Sequence, residues 1–160
     1  MLDSIPFDAP FQQSKKPSVL AEYVIAALKD IYDGRDVSQS FRLAMKHLTN
    51  YTGRVLEATR LIPAGCVASY GAVAETVGGG PRAVGNVMAK NPFPPIVPCH
   101  RVVSSDLTLG GYGGGLDVKR RFLIREKRGY TSEREVNVNG KKLRLYPVEF
   151  VFRRLEKGKR

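Results

Sequence analysis

The chain of 160 residues has no tryptophan and only two cysteines and two histidines. Two cysteines are too few for the disulfide framework that stabilises small secreted proteins. The two histidines, His47 and His100, lie far apart, and no CxxC or HxxxH spacing occurs, so a four-ligand zinc site finds no support. We therefore predict two free thiols and no bound metal.

Long apolar runs are also missing. No stretch approaches the roughly 18 to 20 consecutive apolar residues of a membrane span, and the first residues lack the apolar centre of a secretory signal. Hydrophobic residues nevertheless make up 42% of the chain and charged residues 26%, which is typical of a folded globular protein. The sequence predicts an intracellular, cytoplasmic protein without membrane association, and its length is that of one ordinary domain.

Acidic residues are scarce. The chain has 15 Asp and Glu against 26 Lys and Arg, which gives a net charge of +11. The excess is uneven, since residues 119–160 contain fifteen basic residues and five glutamates. Such a balance favours a polyanionic partner, and nucleic acid is the first candidate. A solvated basic surface without a partner is the alternative, since charge runs often only keep a protein soluble.

Apolar periodicity predicts a mainly helical α+β protein. Helices are predicted from Ser18 to about Gly34, over about 52–61 and over about 117–127, with a weaker one over about 38–48. Alternating apolar residues around Asn139-Gly140 predict a β-hairpin near the C-terminus. Residues 1–17 show no sustained periodicity and are predicted to form an extended or loosely ordered arm.

Two short helices across a glycine turn form the most informative local pattern. Residues 69–77 and 81–90 have helical periodicity, and Gly78-Gly79-Gly80 separates them. The arrangement resembles a helix-turn-helix, whose second helix presents its first residues to DNA, and Arg82 lies at that end. An ordinary helical hairpin within a core is the alternative.

The dipeptide Cys99-His100 is the candidate for chemistry. A cysteine with an ordinary pKa of about 8.5 is only a few per cent thiolate at pH 7, so a reactive cysteine needs a group that takes its proton. The His100 imidazole could accept that proton directly or through a water, and Glu126 is the candidate carboxylate for its other nitrogen. These residues predict a reactive thiolate at Cys99, and the alternative is a buried, inert cysteine.

Several motifs together resemble the O6-alkylguanine-DNA alkyltransferases, a family of single-use DNA-repair proteins. The motifs are Tyr51-Thr52-Gly53-Arg54-Val55-Leu56, Ile62-Pro63-Ala64-Gly65, Ser69-Tyr70-Gly71, Arg82-Ala83-Val84-Gly85, Asn91-Pro92, Pro98-Cys99-His100-Arg101-Val102-Val103, Gly111-Tyr112 and Glu126. They follow one another in the order and spacing of the family over about eighty residues.

The resemblance implies that Cys99 takes an alkyl group, such as methyl, from O6-alkylguanine in DNA in one irreversible displacement that needs no cofactor. His100, a bridging water and Glu126 would deprotonate the cysteine. Asn91 would hold the turn that carries Cys99, and Tyr70 would serve as the hydrogen-bond donor to the departing guanine.

The resemblance also implies that the protein, as a monomer, binds double-stranded DNA through the minor groove. The damaged base would be flipped out of the duplex, and Arg82 would fill its place. The small residues Ala83 and Gly85 would allow close approach, and Tyr70 and Thr52 would also contact the DNA. The expected pocket residues are Tyr112, Gly113, Val102, Pro94 and Met88.

Three parts of the chain are expected. Residues 1–50 form a short, atypical and mostly helical segment, residues 51–130 the alkyltransferase domain, and residues 131–160 a basic hairpin extension. Relatives usually carry a small sheet where residues 1–50 show no convincing strand. Gly113 stands where some relatives have a serine that bonds the guanine oxygen, so a roomier pocket is expected. Asn86 occupies a position often filled by glycine, and Cys66 has no assigned role.

Two other functions fit parts of the pattern. A lesion-binding protein of the alkyltransferase-like kind would flip the base without a transfer, but such proteins replace the cysteine that is present here as Cys99. A thiol hydrolase or redox enzyme would use Cys99 and His100 repeatedly and would leave Arg82 and Tyr70 unexplained. The number of turnovers per chain separates the three functions.

Overall fold

The computed structural model of the chain describes residues 16–158, so most of the predicted N-terminal arm lies outside the described residues. The helices are α1 (Val19–Tyr32), α2 (Asn50–Arg60), α3 (Tyr70–Val77), α4 (Pro81–Ala89), α5 (Leu116–Arg125) and α6 (Val148–Lys157). The strands are β1 (Cys66–Ser69), β2 (Val102–Val103), β3 (Arg134–Val138) and β4 (Lys141–Pro147). This confirms the predicted α+β class. Across the described part of the chain, no helix has both the length and the apolar character to cross a membrane.

Three helices begin at the polar residues expected of N-caps. The hydroxyl of Ser18 accepts a hydrogen bond from the Ala21 amide at 3.2 Å. The hydroxyls of Thr49 and Ser69 likewise accept hydrogen bonds from backbone amides in the first turns of α2 and α3. Helix α4 begins instead with Pro81, whose missing N–H costs nothing in the first turn. The predicted helices therefore start within two residues of their expected positions.

The weaker helix predicted over about 38–48 is wrong. Only a single turn of 3₁₀-helix forms there, at Ser38–Ser40, and Phe41 is already extended. Leu43, Met45 and Leu48 then pack against the main core as partly buried residues. Tertiary packing of these apolar side chains thus replaces the local helical preference.

A four-stranded sheet with the order β2-β1-β4-β3 crosses the middle of the molecule. The predicted hairpin is confirmed as β3 and β4, and the turn residues Asn139 and Gly140 both have positive φ, as a tight hairpin turn requires. It is not a free-standing extension, because β4 also pairs with β1, placing Cys66 opposite Pro147. Strand β1 and helix α6 were not predicted.

The sheet separates two apolar layers. Cys66 and Ala68 of β1 point into the main core with α2, α3 and α4, whereas Val67 points into a smaller core with residues of α5 and α6. This alternation follows from the two-residue period of a strand. Strand β2, which follows the Cys-His motif directly, pairs in parallel with β1, so the candidate chemistry lies at the edge of this sheet.

The predicted pair of helices across a glycine turn is α3 and α4. Gly78 and Gly79 both have φ near +90°, and a side chain on Gly79 would come within 2.8 Å of the Tyr51 hydroxyl on α2. The close approach of the turn to α2 therefore requires glycine.

The segment after α1 docks against the end of α5. Gly34 has φ +82°, and a Cβ at this position would lie 2.3 Å from the carbonyl oxygen of Arg125. The Arg128 guanidinium donates a hydrogen bond to the Gly34 carbonyl, and Ile31 is buried. No strand occurs in the described residues before β1. The contact at Gly34 is one of those that join the segment after α1 to the rest of the molecule.

We expect Gly34→Ala to lower the free energy of unfolding by about 2 kcal/mol or more, because the new methyl group meets backbone and an alanine at positive φ is strained. Gly53→Ala is the matched control. Gly53 lies in α2 with open space around it, so its replacement should leave stability unchanged or raise it by up to about 1 kcal/mol. Urea denaturation of both variants checks this. Equal changes in the free energy of unfolding would contradict a close contact between Gly34 and the end of α5.

Candidate active site

Cys99 lies in a turn of 3₁₀-helix, Cys99–Arg101, immediately before β2. Asn91 holds the chain that enters this turn, since its amide donates to the Val97 carbonyl at 2.9 Å and its oxygen accepts from the Phe93 amide at 3.0 Å. Hydrogen bonding from Asn91 and Tyr112 also opposes the rise that burial causes in the pKa of Cys99 and so favours its thiolate form. The cysteine is thus rigidly placed and only 7% exposed.

His100 and Glu126 form a fully buried pair. Nε2 of His100 lies 2.9 Å from Oε1 of Glu126, which follows the last residue of α5. Phe122 stacks on the imidazole with ring centroids 4.7 Å apart. Nδ1 of His100 is buried and has no hydrogen-bond partner among the described residues. With Nε2 engaged by the carboxylate, Nδ1 is the nitrogen that can accept a proton.

Arg101 completes the pairing of Glu126. Its Nε lies 3.1 Å from each carboxylate oxygen and its Nη2 lies 2.8 Å from Oε1, while Nη1 donates to the Ile62 carbonyl at 2.6 Å. Burial alone would raise the pKa of Glu126, but the hydrogen bonds from His100 and Arg101 and their attraction hold it below its ordinary value. Glu126 is therefore ionised at neutral pH.

Lys119 is a buried cation that the sequence analysis counted only as part of the basic surface. It is 0% exposed, and its Nζ donates to the carbonyls of Val102 at 2.6 Å and Gly111 at 3.2 Å. Burial lowers the pKa of Lys119 to about 8, although the nearby Cys99 opposes this shift. The signal was present, because Lys119 lies four residues before the buried Leu123 on the same helix face.

In the free protein Cys99 is a neutral thiol, not the thiolate that the sequence predicts. Burial raises the pKa of this thiol above its ordinary value, and the hydrogen bond from Asn91 and the charge of Lys119 oppose the rise only in part. Burial also lowers the pKa of His100, despite the hydrogen bond to Glu126. Both groups are therefore neutral in the free protein at pH 7, because desolvation penalises each charged form.

Two cavities meet at Cys99. The first, of about 450 Å³, is lined by Tyr70, Gly85, Met88, Ala89, Cys99, Ser104, Gly110, Gly111, Tyr112 and Gly113. The second, of about 400 Å³, is lined by Met88, Ala89, Asn91, Pro94, Pro95, Cys99, Tyr112, Gly113, Gly114, Val118 and Phe122. One thiol thus faces two adjoining spaces with Tyr112 and Gly113 between them.

The expected pocket residues fall into three groups. Met88, Tyr112 and Gly113 line both cavities, and Pro94 lines the second. Val102 is fully buried and is not among the residues that line either cavity; its carbonyl holds Lys119 instead. Tyr70 lines the first cavity, where its hydroxyl donates to the Gly111 carbonyl at 3.3 Å.

The residues expected to bind DNA lie on three helices, and Tyr70 is the first residue of α3. Arg82 is exposed and Ala83 half-buried in the first turn of α4, and Gly85 of the same helix lines the first cavity. Thr52 is half-buried in the first turn of α2, where its hydroxyl accepts from Thr49 at 2.9 Å. Helix α4 therefore forms one wall of the cavity that contains the thiol.

Sequence reasoning missed Asp36 as well as Lys119. Oδ2 of Asp36 lies 3.3 Å from Nη1 of Arg101 and accepts from the Ala64 amide at 2.8 Å. No local pattern indicates this contact, because 65 residues separate the two partners. Among residues 16–158, no group of three or more His, Cys, Asp or Glu could hold a metal ion.

These features define a helix-turn-helix domain built around a buried Cys–His–Glu series. Residues 50–128 match the family model for the DNA-binding domain of 6-O-methylguanine DNA methyltransferase. The methylated-DNA–protein-cysteine methyltransferase of Methanothermobacter thermautotrophicus is 34% identical over 117 residues, which cover 72% of this chain and 66% of that protein. The protein of the same name from Pyrobaculum aerophilum is 55% identical over 65 residues, 41% of this chain and 44% of that one.

Solved structures give the same result. The O6-methylguanine-DNA methyltransferase of Pyrococcus kodakaraensis matches with a TM-score of 0.60 and 33% identity, over 74% of this chain and 69% of that chain. The Mycobacterium tuberculosis OGT solved in complex with DNA matches with a TM-score of 0.58 and 36% identity, over 66% of each chain. The chain belongs to the O6-methylguanine-DNA methyltransferase family, as the sequence motifs indicated. It spans less than two thirds of the length of the two curated relatives above.

We expect Glu126→Gln to lower the free energy of unfolding by about 3 kcal/mol at pH 7, because a buried Arg101 loses its main counter-charge. The folded-state pKa of Glu126 is lowered, so its contribution exists above the unfolded value and is lost as the pH falls through 4.5 and below. The difference in the free energy of unfolding between wild type and variant, measured by urea denaturation, should therefore decrease from pH 7 to pH 3. Glu57→Gln, at an exposed position, is the control. A difference in stability that does not change with pH would contradict the lowered pKa of Glu126.

Proposed function

We propose that this chain repairs DNA by transferring the alkyl group of O6-alkylguanine irreversibly to the sulfur of Cys99, once per molecule. The observation that supports this most is the buried series Cys99, His100 and Glu126 beside a cavity that is partly lined by α4, the helix with Arg82 in its first turn. Family membership and the names of the relatives support the same reaction.

The reaction begins with a neutral thiol and a neutral imidazole. The Cys99 proton passes to Nδ1 of His100, directly or through a water, and Glu126 stabilises the imidazolium that forms. The thiolate is stabilised in turn by Lys119 and by the hydrogen bonds from Asn91 and Tyr112. Buried donors and charges thus supply the solvation that the sulfur anion lacks in this site.

The thiolate then attacks the alkyl carbon. A carbon–sulfur bond forms while the carbon–oxygen bond to guanine breaks, and the electron pair of the broken bond stays on the guanine. Tyr70 is the proposed donor to that developing charge, because it lines the cavity and burial raises the pKa of its hydroxyl, so it carries its proton at neutral pH. The thioether is stable and nothing in the reaction restores the thiol, so each chain acts once.

We propose that double-stranded DNA is bound through its minor groove by α4. A base within a duplex hides its O6 atom, so the nucleotide must be flipped into the first cavity, and the exposed Arg82 can fill the vacated stack. Ala83 and Gly85 leave little side-chain bulk on the helix, which allows the groove to approach. The net charge of +11 favours the phosphate backbone. We further propose that the protein acts as a monomer in the cytoplasm, where both thiols stay reduced.

The second cavity extends the proposed range of substrates. It opens beside the sulfur on the far side of Tyr112, where Gly113 has no side chain and its surroundings leave open space. An alkyl group larger than methyl can occupy this space while guanine lies in the first cavity. We therefore propose that benzyl groups are also transferred.

The decisive experiment mixes the protein with duplex DNA that contains O6-methylguanine and measures intact and peptide masses. We expect one methyl group per chain, on the Cys99 peptide, and no transfer by Cys99→Ser. Cys66→Ser is the matched control, because Cys66 is also a buried free thiol but lies on β1, and it should still transfer. The same assay with O6-benzylguanine DNA tests the second cavity.

Other outcomes identify other functions. DNA that binds while the protein mass stays constant would indicate a lesion-binding module. Loss of more lesions than protein molecules present would indicate an enzyme that turns over.

We expect Arg82→Ala to slow methyl transfer from duplex DNA by about tenfold or more, because the flipped state loses the side chain that fills the stack. Reaction with the free base O6-benzylguanine needs no flipping and should be unchanged. Lys29→Ala, which removes an equal charge from α1, is the control in single-turnover measurements. Equal slowing of both substrates by Arg82→Ala would rule out a role in flipping.

A further inference from the structure

The six residues 31–36, here called the exit segment, lie at the end of α1 and are linked to the His100–Glu126 pair on two sides, through Phe122 and through Arg101. The first side is aromatic. The Tyr32 ring meets Phe122 edge-on with centroids 6.0 Å apart, and Phe122 stacks on His100. Arg125 holds Tyr32 in place by stacking 4.1 Å from its ring centre and donating to its hydroxyl at 3.1 Å.

The second side is ionic. Oδ2 of Asp36 accepts from Nη1 of Arg101, and the other nitrogens of the same guanidinium bind Glu126, which accepts from His100. The Ala64 amide also donates a hydrogen bond to Oδ2 of Asp36, at 2.8 Å. A continuous chain of charge-assisted hydrogen bonds therefore runs from the exit segment to the imidazole.

The charges around His100 are unbalanced without Asp36. Glu126, which follows α5, favours the imidazolium, whereas Arg101 of the Cys–His turn and Lys119 of α5 oppose it. Asp36 supplies a second negative charge on the far side of Arg101, with 33% of its side chain exposed. It offsets part of the positive charge that His100 experiences, more weakly than a buried carboxylate would.

We propose that Asp36 is a positioning residue for the transfer reaction, which orients Arg101 on Glu126 and balances its charge while His100 carries the proton of Cys99. This inference rests on the proposed function. It gives the atypical N-terminal segment a part in the chemistry, although it contributes no group that touches the substrate. Loss of the Asp36 charge makes the imidazolium less favourable, so Cys99 gives up its proton only at higher pH.

The test compares Asp36→Asn with Asp36→Glu and wild type. Asparagine keeps the size and an oxygen that can accept from Ala64 and Arg101, so it removes the charge and leaves the packing. Glutamate restores the charge, and its longer side chain has room because the site is partly exposed. Asp33→Asn is the matched control, since Asp33 lies on the same segment and pairs with the exposed Arg35. Asp36→Ser is a second charge-free variant if asparagine prevents folding.

Two rates are measured from pH 6 to pH 10: methyl transfer from O6-methylguanine DNA, and alkylation of Cys99 by iodoacetamide followed on its peptide. We expect Asp36→Asn to slow both by about three- to tenfold at pH 7 and to approach wild type as the pH rises. Asp36→Glu and Asp33→Asn should follow the wild-type profile. A merely structural role would lower the melting temperature without shifting either pH profile.

The inference is overturned if the Asp36→Asn profiles coincide with those of Asp33→Asn, or if Asp36→Glu is as slow as Asp36→Asn. The iodoacetamide profile does not depend on DNA. A wild-type protein that never accepts a methyl group would therefore refute the proposed function, while the shift of that profile would still decide the role of Asp36.

Discussion

The buried carboxylate of Glu126 is the group on which the rest of the structure depends. It accepts from His100 and from two nitrogens of Arg101, all within the interior. Burying a carboxylate is costly unless its oxygens are fully paired, and here the partners come from the Cys–His turn while Asp36 and Ile62 hold the same guanidinium. One ionic cluster thus joins the exit segment, the end of α2, the turn and α5.

Burial shapes the chemistry as much as pairing does. Desolvation keeps the Cys99 thiol and the His100 imidazole neutral at rest, so the reactive anion exists only when the proton has crossed between them. The fixed donors Asn91 and Tyr112 and the charge of Lys119 then face the sulfur without reorganisation. A thiol that stays protonated until His100 accepts its proton suits the single transfer that we propose.

Most helices could be predicted because their signals are local. Ser18, Thr49 and Ser69 cap helices through their own hydroxyls, Pro81 begins α4, and Asn139-Gly140 closes the hairpin. Strand β1 and the path of residues 41–48 could not be predicted. Strand β1 has only four residues, and its stability comes from pairing with β2 and β4. The apolar side chains after Phe41 pack against the core instead of forming the helix that their periodicity predicts.

The sequence by itself determined the candidate nucleophile, its candidate imidazole and carboxylate, the asparagine of the turn and the helix that carries Arg82 in its first turn, because these residues carry the family motifs. Only the tertiary structure decided their electrostatics. It placed Lys119 inside, brought Asp36 to Arg101, and raised rather than lowered the pKa of Cys99. The physical reason is that charge balance in an interior depends on distance and burial, which residues far apart in the chain create only when it folds.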